Sequence, residues 1–72
     1  MKRIVTFAKA RPAPQAGQLV LERASIRSIA DFVDIEAMIK EGVVTSVVVL
    51  NGDNDISLHA WADVVQREAE RK

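Results

Sequence analysis

Residues 43–50 read Val-Val-Thr-Ser-Val-Val-Val-Leu, and the fold turns on how this run is sheltered. β-Branched side chains suit a pleated, half-buried surface, so the run predicts a strand. Val43, Thr45, Val47 and Val49 face one way, and Val44, Ser46, Val48 and Leu50 the other. Both faces are largely apolar, which predicts a central strand or one covered on two sides. A valine ribbon left at a sheet edge would template pairing with another chain. Either the ribbon lies between other strands, or its free edge meets a second protomer. Val43, Thr45, Val47 and Val49 are therefore the candidate dimer strand.

The ribbon is followed by Asn51-Gly52-Asp53-Asn54-Asp55, a concentrated turn signal. The next segment fits two patterns. Ile56, Leu58 and Ala60 alternate with Ser57, His59 and Trp61, as in a return strand. Leu58, Trp61, Val65 and Ala69 also form a helical stripe, with Asp55 or Ser57 as cap. A short return strand over 56–60 and a helix from about residue 62 satisfies both patterns.

On the N-terminal side, Gly42 ends a helical pattern. Ile29, Phe32, Val33, Ile35, Met38 and Ile39 recur at roughly helical spacing. Ser28 and Asp31 form a near capping box, so a helix is expected over about 27–41. Residues 3–8 read as a strand and 19–24 as a second. Arg11-Pro-Ala-Pro and Gly17 place a loop at 9–18 between them. The expectation is one α+β domain over residues 1–72: an antiparallel sheet in β-β-α-β-β-α order with its helices on one face.

Seventy-two residues bury a small core, and such domains often add a disulfide, a metal or an oligomeric interface. The chain has no cysteine, and His59 is its only histidine, so a disulfide and a zinc staple are not expected. Good packing or self-association remains. The longest uncharged run, Gly42–Gly52, has eleven residues and is too short to span a bilayer. A soluble, cytoplasmic protein without cofactor is the expectation.

The net charge is zero but unevenly placed. Lys2, Arg3, Lys9, Arg11, Arg23 and Arg27 make the first third basic. Asp31, Asp34, Glu36 and Glu41 make the helix acidic. The two regions either neutralise each other in the fold or form separate partner-binding patches. A basic patch raises nucleic acid as a partner, but the balanced charge and the lack of a stacking aromatic pair argue against it.

No reading of the turn makes an EF-hand loop. From Asn51 the sixth position is Ile56 and the twelfth Ala62, where glycine and glutamate are required. In a strand, Ser57 and His59 would share a face, but no oxyanion-hole signature accompanies them, so an enzyme is not expected. Trp61 is a core anchor or a partner-facing hot spot.

The stretch Val44–Trp61, VTSVVVLNGDNDISLHAW, resembles small accessory proteins of tailed phages and prophages. In that pattern a hydrophobic strand, a polar turn, a return strand and a short helix end the chain. The resemblance covers about a quarter of the sequence and implies a modulator or inhibitor of a host protein, acting by binding and without catalytic residues. Together these readings predict a non-enzymatic protein-binding module, expected as a homodimer. The alternative is a nucleic-acid-associated regulator working through its basic third.

Overall fold

A computed structural model describes residues 3–71. The elements are β1 (Val5–Ala8), β2 (Gln18–Glu22), a short 3-10 turn (Arg23–Ser25), α1 (Ile29–Lys40), β3 (Ser46–Leu50) and α2 (Ile56–Glu70). The three strands form one sheet in the order β1-β3-β2, and both pairings are parallel. Val5 lies beside Val47 on one border of β3, and Leu19 lies beside Val47 on the other.

This corrects the antiparallel β-β-α-β-β-α expectation in two places. The loop between the first two strands is not a hairpin connection. It carries the chain from the carboxyl end of β1, past β3, to the amino end of β2. The nine residues Lys9–Gly17 can reach about 30 Å when extended, enough for that return. The expected return strand at 56–60 does not form either, because α2 begins at Ile56. Asp55 decides this: its side chain accepts the Leu58 N–H at 3.1 Å and caps the first turn. The strand-turn-strand-helix pattern behind the phage resemblance is therefore absent here.

The helix expected over 27–41 forms as α1, with the Asp31 carboxylate accepting the N–H groups of Arg27 and Ser28 at 2.8 and 3.1 Å. Gly42 stops it at φ 80°, a conformation cheapest for glycine.

Val5, Val47 and Val49 are fully buried and pack with Ile35 of α1 and Leu58, Ala62 and Val65 of α2. Both helices thus cover the same face of the sheet. Val48 and Leu50 point to the opposite face by strand alternation, yet they are only 5% and 6% exposed. That face is covered as well, and the 9–17 connection crosses it. Successive crossovers that step across a sheet in opposite senses lie on opposite faces when both are right-handed, so the connection and α1 fall on different sides. An ion pair between Arg11 of the connection and Glu22 of β2, at 3.1 Å, marks the crossing.

Candidate functional site: the outer face of the helix layer

The structure disperses the basic residues. Arg3 pairs with Asp63 at 2.7 Å, Arg11 with Glu22, and Arg23 with Asp55. Two of these pairs tie the basic third to the acidic part of the chain, so the two regions partly neutralise each other. Lys9 and Arg27 are exposed and hold no carboxylate among the described residues. Lys2 lies outside the described residues.

The acidic helix residues do not form one patch. Asp31 is spent on the N-terminus of α1, and Glu36 accepts the Trp61 indole N–H at 2.8 Å. Asp34 and Glu41 are exposed and unpaired among the described residues. Trp61 is half-buried, with its ring 5.0 Å from Phe32, and it bridges α1 and α2. That places it as an internal anchor between the helices, since its one polar atom already has a partner.

The candidate dimer strand is corrected outright. Thr45 and Val43 precede β3, and Val47 and Val49 are fully buried within it. Both borders of β3 are bonded inside the protomer, because it is the central strand. Strand-edge pairing through this ribbon is excluded by that geometry. The free borders belong to β1 and β2. On β1 the Arg3 side chain donates to the Val5 carbonyl at 3.1 Å, which blunts the free border against pairing. Just before the strand, the Ile4 N–H donates to Gln66 of α2 at 2.8 Å.

Ser57 and His59 no longer share a face, because residues two apart on a helix point about 200° apart. The His59 ring lies 4.1 Å from the Phe7 ring, with Nε2 2.7 Å from the Asp53 carbonyl, a contact that needs the proton on Nε2. Asp55, in the former calcium-loop candidate, is committed to the α2 cap and to Arg23. No trio of potential metal ligands converges among the described residues. Arg23, then the Leu58 N–H, hold the Asp55 carboxyl below its ordinary value of 3.8. The N–H groups of Arg27 and Ser28 lower Asp31, and Arg3 lowers Asp63.

The uncovered apolar surface is elsewhere. Ile29 (80% exposed) and Val33 (56%) project from α1, and Ile56 (84%) and Val64 (53%) from α2. On α1 the sequence Ile29, Val33, Ala37 runs opposite Ile35, away from the core. On α2 the sequence Ile56, Ala60, Val64 runs mostly away from Leu58, Ala62 and Val65. Between the helices, toward their C-terminal ends, lies a groove of about 710 Å³ with Ile39, Val44, Val64 and Val65 among its walls. The helix layer therefore presents two apolar stripes on its outer side, with the groove opening between the helices toward the amino end of the sheet.

Sequence reading missed this surface by counting Ile29 and Val33 with the core stripe. The angular positions of Ile29 and Val33, opposite Ile35 on the helix, were the available signal. No helix among the described residues is long and apolar enough to cross a membrane. In comparisons with known proteins, no family model, curated protein or solved structure matches the chain.

Proposed function

We propose that this chain is a non-enzymatic protein-binding module that docks through the outer face of its helix layer. One observation carries the reading: α1 is apolar on both sides, with Ile35 and Ile39 turned to the core and Ile29 and Val33 turned to solvent. A second apolar stripe on the side of a helix away from the core is surface that a partner would cover. Among the described residues, four of the five large exposed apolar side chains lie on this layer, and such concentration marks interaction surfaces. Asp34, Lys40, Glu41 and Arg67 around the stripes, unpaired among the described residues, supply a polar border of both signs. The lack of cysteine makes a reducing cytoplasm the compartment this reading assumes.

The nucleic-acid alternative loses support from the three arginines already holding carboxylates. The test is a comparative pull-down from host lysate with the wild type and the Val33→Asp/Ile56→Asp double variant. Both positions are solvent-exposed, so circular dichroism of the two proteins should coincide. A partner retained by the wild type and lost by the variant is expected. A partner held equally by both, or a salt-sensitive shift of a nucleic-acid probe at two ionic strengths, would overturn the reading.

A further inference from the structure

We infer that the free border of β2 continues the sheet into a second copy of the chain. This surface is separate from the helix layer, and the inference does not rest on the reading above. Along a strand, successive residues turn their N–H and C=O groups to opposite borders. The Ser46 N–H donates to the Gly17 carbonyl, and Ser46 is the register partner of Gln18. Gly17, Leu19 and Leu21 therefore turn to β3, while Gln18, Val20 and Glu22 turn outward. Two of the outward groups are engaged at home. The Gln18 N–H donates to the Gln15 carbonyl at 3.1 Å, and the Glu22 carbonyl opens the 3-10 turn that follows. The Gln18 C=O, the Val20 N–H and C=O and the Glu22 N–H have no hydrogen bond among the described residues. No lysine, proline or side-chain lid blunts this border, in contrast to β1, where Arg3 sits on the Val5 carbonyl.

A second copy is selected because these free groups match themselves. The strand Gln18-Leu19-Val20-Leu21-Glu22 reads nearly the same in both directions about Val20. A two-fold axis through Val20, normal to the sheet, sets two β2 strands antiparallel. The two Val20 residues then exchange N–H···O bonds in both directions. At each end the Glu22 N–H donates to the Gln18 carbonyl of the second copy. The two groups this pairing leaves over, the Gln18 N–H and the Glu22 carbonyl, are the two already bonded within the protomer.

The side chains agree with that register. Leu19, half-buried beside the core, faces the equally half-buried Leu21 of the second copy. Val20 meets itself on the other face, and Gln18 faces Glu22, whose carboxylate can accept its amide N–H. No like charges meet in the ladder. Above it, Asp34 lies about 200° around α1 from Phe32 and Glu36, on the flank turned from α2, and approaches its own copy. It is exposed, so salt screens that approach. The ladder is short, about 17 Å, so main-chain bonds carry the affinity and the equilibrium is weak and concentration-dependent. The joined sheet ends on the two β1 borders, which Arg3 blunts.

Sedimentation of the pure protein in physiological salt, from low micromolar to millimolar concentration, tests the inference. A monomer–dimer equilibrium is expected. Val20→Lys sets two cations at the axis, and Val20→Pro removes an outward N–H that the β3 ladder does not use. Both variants should stay monomeric with unchanged circular dichroism, while Val33→Asp on the helix layer should dimerise like the wild type. In the wild type, amide exchange at Val20 and Glu22 should slow as concentration rises. A wild type that stays monomeric to millimolar concentration overturns the pairing. So does a dimer indifferent to both Val20 changes, one lost in Val33→Asp, or Val20 exchange that ignores concentration. Loss of a lysate partner in the Val33→Asp/Ile56→Asp variant is read separately, so either surface can fail while the other stands.

Discussion

Two glycines with positive φ face different surroundings, and the difference can be measured. Gly17 at φ 75° would place an added Cβ 2.7 Å from Thr45 Oγ1, while Gly42 at φ 80° has open space around it. The left-handed conformation alone costs an L residue about 1–2 kcal/mol. Gly42→Ala should therefore lower stability by about that amount. Gly17→Ala should lose distinctly more, because the Gly17 carbonyl also accepts the Thr45 N–H at 2.7 Å and cannot shift freely. Chemical denaturation of the two variants checks the order.

Asp55 gives a second prediction. Its carboxyl, like those of Asp31 and Asp63, is held below 3.8 in the folded protein. Its stabilising contribution is complete above the unfolded value and is lost as the pH falls through the lower, folded value. The melting temperature should hold from neutral pH downward and decline as the pH passes below about 3.8. Asp55→Asn keeps a capping acceptor but loses the charge facing Arg23. Its acid limb should be shallower than the wild type's when thermal melts are compared across pH.

At the scale of elements, α2 holds the core through Leu58, Ala62 and Val65, and Leu58 is 1% exposed. Leu58→Ala should cost about 2–5 kcal/mol. A domain of this length holds roughly 4–11 kcal/mol in total, so the loss is a large share of the whole and should lower the urea midpoint markedly. Far-ultraviolet circular dichroism against urea would measure the loss. The elements were unevenly legible. The α1 helix could be read from Ser28, Asp31 and Gly42, because caps and stops are local chemistry. The ribbon could be read as a covered strand from its two apolar faces. Its neighbours could not, because a Pro-containing loop of nine residues serves a hairpin or a crossover equally well. Residues 56–60 carried both periodicities, and the choice fell to Asp55 and to the burial of Leu58 beside Val49. The outer stripe of α1 was hidden for a related reason. In a helix with apolar residues on both sides, composition alone does not tell the core face from the solvent face.

For the molecule as a whole, every strand pairing is remote in sequence: Val5 reaches Val47, and Val20 reaches Val48. Loop-closure entropy must be met before such contacts form, so a parallel sheet folds slowly for its size. Stopped-flow refolding should proceed in milliseconds to seconds instead of microseconds. Amide exchange should be slowest at Val47, Val48 and Val49, which are bonded on both borders and buried on both faces. Fast exchange there would contradict the strand order.

The route of the 9–17 connection has a practical corollary. Ala13, Pro14, Gln15 and Ala16 are exposed, and a single protease nick among them would leave β1 as a detached peptide. That peptide would still be held by the β3 ladder, by Gln66 and by the Arg3–Asp63 pair. The first strand should then be replaceable in trans by a synthetic, labelled fragment.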